Sequence, residues 1–453
     1  MSTPSRRTFL GLAGGAVAVA AIWVASAHAQ ERSAVTLIEN VRIFDGTHPS
    51  LSAPSSVLIR GNIIEKISTS PIPIDRRADT QIIAGGGRVL MPGLIDAHWH
   101  AMMVRSTPAQ MLSSDVGYTT LQAGAEATAT LMRGFTTVRD MGGPAFALKR
   151  AIDEDVLPGP RIYPSGAVIT ISGGHGDFRE ISELPRTAAT LSRVEQLGGS
   201  AVADSPDEVR KRAREQLMQG ASQIKLTAGG GVASPFSPLE VTTFTEPELR
   251  AAVEAAADWG TYVATHAYTT SAIQRSIAAG VKVIEHGHLM DEATARLMAE
   301  KGIWLSTQPF VDLGGAKMLP AAQQRQMMQV VGGTATVYGY VKKHKIKTAF
   351  GTDILFSPAL AEHQGQGIVD LTRWFSPAEA LAMATSANGE LLALSGLRNP
   401  YSGKLGVVEP GALADLLVVD GNPLEQIDLV ADPAHKFLVI MKDGVIYKNT
   451  IPN

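Results

Sequence analysis

The segment Met91-Pro-Gly-Leu-Ile-Asp-Ala-His-Trp-His100 ends an apolar run on two histidines spaced by one residue. On a strand, residues i and i+2 project from the same face, so His98 and His100 can grip one ion together. Four later segments repeat the arrangement, a ligand-type residue at or near the end of an apolar run. They are Lys225 in Gln223-Ile-Lys-Leu-Thr227, His266 in Val263-Ala-Thr-His266, His286 in Val283-Ile-Glu-His286 and Asp353 in Phe350-Gly-Thr-Asp353. One such segment carries little weight. Five in the same structural position imply a metal site.

The stretches between them alternate strand and helix patterns, the signature of βαβ units and a parallel sheet. Eight strands are expected, around Leu90–His98, Thr136–Asp140, Arg161–Ser165, Gln223–Thr227, Tyr262–His266, Lys282–His286, Trp304–Thr307 and Lys347–Asp353. Helices are expected at Pro206–Gln219, Glu246–Trp259 and Ala293–Lys301, with Pro377–Leu394 as a closing helix. Eight β/α units close most simply as a (β/α)8 (TIM) barrel, which carries its chemistry at the C-terminal ends of its strands. The ligand candidates then sit on strands 1, 4, 5, 6 and 8.

Both chain ends are β-rich. Val35–Phe44, Ser56–Arg60 and Ile63–Ile67 lie at one end, with Arg60-Gly61-Asn62 as a tight turn. Ala414–Asp420 and Phe437–Met441 lie at the other, with Lys442-Asp443-Gly444 turning into Val445–Tyr447. The reading is an α/β protein with a barrel over 91–401 and a small β-sandwich domain assembled from 30–90 and 402–453.

With 453 residues, 45% hydrophobic and 18% charged, the chain can bury a substantial core. A formal net charge of -3 offers nothing to nucleic acid. The absence of cysteine excludes disulfides and thiol catalysis, and leaves a metal to imidazole, carboxylate or modified lysine, a donor set that suits Zn²⁺. Residues 1–29 read as a signal peptide: Arg6-Arg7 precedes the apolar run Phe9–Ala27, and Ala27-His28-Ala29 forms an A-x-A cleavage site. The twin arginine points to Tat export and a periplasmic or secreted location. No other stretch is apolar enough for a membrane span.

His288 competes with His286, being two residues on and on the same face; His286 is preferred as nearer the strand end. Lys225, between Ile224 and Leu226, must bury an ammonium at high cost. It can escape through a depressed pKa, by reaction of the neutral amine with CO₂ to form a carbamate, or by pairing with a buried carboxylate such as Asp353. Asp353 can take a proton from a metal-activated water and hand it to a leaving group, or merely cap a turn. Tyr268, two residues past His266, can face the site and stabilise an oxyanion. His175, in Ser172-Gly-Gly-His-Gly-Asp177, lies in a glycine-rich loop suited to substrate contact, whereas His363 reads as a surface residue.

Together these segments resemble the amidohydrolase superfamily, over roughly Val35–Tyr447 and including Gly134–Asp140 and Gly411–Val418. Lys225 makes the chain similar to the binuclear branch, and in detail to Xaa-Pro dipeptidase and carboxypeptidase-like enzymes and to ochratoxin-hydrolysing relatives. The resemblance implies two divalent ions. His98, His100 and Asp353 would hold the more buried one and His266 and His286 the other, with a CO₂-derived carbamate on Lys225 between them. It implies a bridging hydroxide nucleophile, Asp353 as proton shuttle, and, by analogy, a homo-oligomer such as an octamer. The expected reaction is hydrolysis of an amide in a small carboxylate-bearing substrate: a dipeptide, an N-acyl amino acid or an ochratoxin-like amide. A cyclic-amide or lactone hydrolase is the alternative within enzymes, and an exported binding protein with a degenerate barrel the alternative outside them.

Overall fold

In the computed structural model the described residues are 35–75, 80–185, 190–234 and 236–451. The signal-peptide expectation for 1–29 lies outside them. Three parallel strands, Leu94–Trp99, Phe135–Asp140 and Arg161–Pro164, form one sheet. A second parallel sheet runs in the order Ser200–Val202, Val168–Thr170, Ile224–Thr227, Val263–Thr269, Val283–Leu289, Trp304–Thr307, Thr348–Phe350.

The two sheets are stitched at two places. Ser222 N donates to Pro164 O (2.8 Å) on one side, and on the other Asp353 N donates to His98 O (2.8 Å) beside a parallel bridge between Trp99 and Ile354. Buried Asn388 clamps that second seam. Its Nδ2 donates to Ile95 O (2.7 Å) and Phe350 O (2.8 Å), while its Oδ1 accepts from Phe350 N (3.0 Å).

All eight expected strands are present, with four differences. The first breaks at Gly93, leaving Val89–Pro92 to the terminal sheet and Leu94–Trp99 to the site. The last ends at Phe350, so Asp353 lies on the loop beyond it. Val168–Thr170 and Ser200–Val202 are short additional strands that frame the His175 loop. The expected closing helix Pro377–Leu394 is interrupted by a π-turn at Met383–Ala387, one residue before Asn388. Such a turn re-phases a helix, and here Asn388 follows it directly.

Helix boundaries follow local chemistry. Pro206–Gln219 begins with Ser205 accepting from Glu208 N and with Pro206 in the first turn, and ends at left-handed Gly220. Glu246–Asp258 starts with a Thr245/Glu248 capping box. Its buried face of Ala251, Ala252, Ala255 and Ala256 contributes to the largest apolar core.

The chain ends build one eight-stranded sheet together, in the order Val445–Asn449, Phe437–Lys442, Leu416–Val419, Val89–Pro92, Val35–Ile43, Ser55–Arg60, Ile63–Ser68, with Thr80–Ala84 also paired to Val35–Ile43. The expected hairpins occur. In the second, Asp443 and Gly444 both take positive φ (57° and 73°), as a two-residue turn requires. No helix among the described residues is long and apolar enough to cross a membrane.

Candidate metal centre

His98 and His100 leave the Leu94–Trp99 strand on one face and meet Asp353. Asp353 Oδ1 lies 3.3 Å from His98 Nε2 and 3.2 Å from His100 Nε2. These three side chains offer ligand atoms within 4.8 Å of one another. Gly351 permits the approach: a Cβ there would stand 2.5 Å from His98 Cβ and 2.7 Å from His98 N.

The outer nitrogens of both rings face acceptors, which fixes the inner ones. His98 Nδ1 donates to Glu285 Oε2 (2.8 Å) and His100 Nδ1 donates to Gly142 O (3.2 Å). With Nδ1–H spent outward, each Nε2 directs a lone pair at the carboxylate of Asp353. Two lone pairs and an anion at this distance repel one another unless a cation lies among them. The donor set therefore fits a divalent metal ion, and the Nδ1 partners supply the outer hydrogen bonds that orient such ligands.

His286 and His266 extend the cluster. The His286 ring lies 4.9 Å from that of His98 and 4.4 Å from that of His266. Its Nδ1 donates to Gln308 Oε1 (2.8 Å) and lies 3.9 Å from Asp353 Oδ2. His266 Nε2 donates to Gly230 O (2.9 Å), leaving Nδ1 with the lone pair. His288 instead donates from Nε2 to Gln308 O (2.9 Å) and stacks on Phe310 at 5.2 Å. Both histidines thus reach Gln308, and of the two His286 also lies 3.9 Å from Asp353. The strand runs on through Leu289, so His286 and His288 both lie within it rather than at its end.

His286 carries φ +74°, followed by Gly287 at +68°, and the pairing with the neighbouring strand shifts register there. This bulge lets adjacent Glu285 and His286 both address His98, which a regular strand forbids. Asp353 is left-handed as well (φ +54°). Non-glycine residues held this way are strained and cluster at functional sites.

Burial is the largest influence on the imidazoles. It pushes His98 and His266 well below the ordinary histidine range, and, with opposing help from Asp353, brings His286 down to about 4. All three are neutral at pH 7, as ligands must be. Burial pushes the Asp353 carboxyl up, and the downward pull of His98, His100 and His286 on it acts only while those rings carry a proton. Lys225 is 3% exposed, and among the described residues no ion pair joins it to a carboxylate, so the expected alternative of pairing with Asp353 does not occur. Burial lowers its ammonium to about 8, against the upward pull of Glu285 and Asp353. About one lysine in ten is then neutral at pH 7, the form that reacts with CO₂.

Tyr268 stacks on His286 at 5.0 Å and stands edge-on to His266 at 5.0 Å. His175 stacks on His266 at 4.1 Å against Gly231, where a Cβ would meet its Nδ1 at 2.2 Å. Both therefore join the cluster, whereas His363 is exposed.

Several participants were not singled out from sequence. Arg139 donates from Nη2 to Glu285 Oε1 (2.7 Å) and from Nε to Ala97 O (2.6 Å). Asp140 accepts from Ala101 N (2.7 Å) and Gly142 N (3.3 Å), holding the loop beyond His100. Asp96 ties His98 N (3.0 Å) to Thr352 Oγ1 (2.7 Å). Their shared signal was a charged residue inside an apolar strand run.

Ochratoxinase of Aspergillus niger is 29% identical over 376 residues, which is 80% of this chain and 76% of that protein. A crystal structure of a prolidase complexed with N-methylphosphonate-L-proline superposes with TM-score 0.84 at 32% identity, over 92% of this chain and 100% of that one. A Xaa-Pro dipeptidase with bound methionine gives TM-score 0.78 at 30% identity, again over 92% and 100%. Residues 89–449 match the amidohydrolase family, the span holding every ligand candidate, and the chain belongs to that family.

Proposed function

We propose that this protein is a binuclear metal-dependent hydrolase cutting an amide in a small carboxylate-bearing substrate: a dipeptide, an N-acyl amino acid or an ochratoxin-like amide. The observation that carries this reading is the convergence of His98 Nε2 and His100 Nε2 on Asp353 Oδ1 at 3.3 and 3.2 Å, with both Nδ1 atoms turned outward to acceptors. The two stitched parallel sheets are read as one (β/α)8 barrel over 91–401. The terminal sheet is read as the sandwich domain of 30–90 and 402–453, and residues 1–29 as a Tat signal for export to the periplasm or beyond. His98, His100 and Asp353 would hold one ion and His266 and His286 the other, with a carbamate on Lys225 shared between them; Zn²⁺ suits these donors.

Bound there, the ions supply Lewis-acid polarisation of a carbonyl and an acidified water. The chain's own groups do the rest. Asp353 takes the proton of the attacking water at Oδ2, whose partner oxygen is held between the two imidazoles, and returns it to the departing amine. Tyr268, packed between His266 and His286, donates its hydroxyl to the oxyanion, and His175 contacts the substrate from the glycine-rich loop.

Metal analysis tests the class. About two ions per chain are expected, with activity lost to a chelator and restored by Zn²⁺. One ion would indicate a mononuclear enzyme and none a binding protein. Lys225→Ala is expected to retain about one ion fewer, since a bridging anion is lost. Tyr268→Phe is expected to lower kcat about 10²-fold, and His175→Ala to act mainly on KM; wild-type kinetics in both would remove them from the substrate pocket. Turnover confined to lactones or cyclic amides would replace the linear-amide assignment.

A further inference from the structure

A cavity of about 420 Å³ is walled by Met103, three residues past His100, and by Met111, Leu112, Phe178, Phe236 and Phe356 among others. It is tethered to the site through the backbone. Met103 N donates to His100 O (2.8 Å), and Phe356 N donates to Met103 O (3.0 Å). Phe356 follows Asp353 by three residues, Phe178 follows His175 by three, and their rings meet edge to face at 6.4 Å. The helix Pro108–Ser113, carrying Met111, and three loops, those carrying Phe178, Phe236 and Phe356, converge with apolar side chains on this one space.

Among the described residues the cavity wall includes two charged groups, Arg179 and Glu180, and the cation is already paired. Arg179 donates from Nε and Nη2 to the two carboxylate oxygens of Asp177 (2.8 and 2.6 Å), with both side chains buried. A pair neutralised in this way has little left for a ligand's charge. Phe236 stays 49% exposed at the cavity, an apolar ring kept in water where a ligand would cover it. The volume lies in the ~300–1,000 Å³ range of small-molecule sites, and a proline ring alone would leave most of it unfilled.

The geometry points to this cavity as a subsite for a bulky apolar substituent, aromatic in size, on one side of the scissile amide. The preferred substrate is then an amide bearing such a group rather than a small or doubly charged dipeptide. This inference rests on the amide-hydrolase reading above and deepens it.

Binding to the full metal-loaded chain, measured by titration calorimetry, tests the subsite without requiring turnover. N-(2-naphthoyl)-L-alanine carries the apolar group on the acyl side and N-acetyl-L-tryptophan on the amine side, with N-acetyl-L-alanine as reference. At least one of the first two is expected to bind about tenfold or more tighter than the reference, and Leu112→Trp, which fills the cavity, is expected to remove that advantage. If Leu112→Trp does not fold, Met111→Trp on the same wall takes its place. Equal affinity for all three probes overturns the subsite, as does an advantage that survives the filled cavity. A parallel screen for metal-dependent amide hydrolysis keeps the two readings apart. Turnover with equal probe affinities sinks the subsite alone. An apolar advantage without turnover of any amide sinks the hydrolase reading and leaves the subsite standing.

Discussion

Asp353→Asn is expected to bind its metals and to lose about 10²–10⁴-fold in kcat, the range over which a positioned proton-transfer group acts. The side chain has two separable tasks. Its Oδ1 faces the Nε2 atoms of His98 and His100 at 3.3 and 3.2 Å, a ligand position that an asparagine carbonyl oxygen can still fill. In the proposed mechanism its other oxygen takes and returns a proton, which an amide cannot do. The loop conformation should survive, because Asp353 N donates to His98 O through the backbone and asparagine tolerates the left-handed φ of 54°. Metal content by elemental analysis and kcat on one hydrolysed amide are the two readouts. Near-normal turnover in a metal-replete variant would remove Asp353 as the proton carrier. Loss of metal together with turnover would make it chiefly a ligand.

Glu285→Gln is expected to weaken metal binding about 10–100-fold, the usual cost of losing an outer-sphere partner, and to destabilise the fold by about 3–5 kcal/mol, because it breaks a buried ion pair. Glu285 and Arg139 are both 0% exposed, with Oε1 and Nη2 at 2.7 Å. The other carboxylate oxygen receives His98 Nδ1 at 2.8 Å. Removing the charge leaves the Arg139 guanidinium buried without its counter-ion and weakens the acceptor that holds His98 in its ligand tautomer. Denaturant unfolding of the metal-free protein isolates the first effect, and equilibrium dialysis against Zn²⁺ the second. An unfolding midpoint that falls while metal affinity holds would make Glu285 a structural residue only.

Glu285 also shows why part of the site escaped the sequence. Strand alternation places it on the face opposite His286, and the left-handed turn at His286 cancels that rule. Alternation works only while the backbone stays extended, and here the departure from it is what brings both residues to His98. Asp96 and Arg139 were invisible for a related reason. A charged residue in an apolar run reads as an anomaly until its partner is known, and the partners Thr352 and Glu285 lie 256 and 146 residues away. The π-turn before Asn388 had no local marker either, since its backbone conformation follows from the two strands that Asn388 must clamp.

By itself the sequence determined the parallel α/β order and the two-ended terminal sheet, and it singled out His98, His100 and Asp353, which the fold brings within ligand distance of one another. Those properties rest on periodicity and residue type, which are local. Only the tertiary structure decided which nitrogen of each histidine faces inward, that His288 stacks on Phe310, that Lys225 has no carboxylate ion-pair partner among the described residues, and that a helix and three loops line an apolar cavity. Each of these depends on contacts between segments far apart in the chain, where burial and hydrogen-bond direction are set by neighbours that no local pattern encodes.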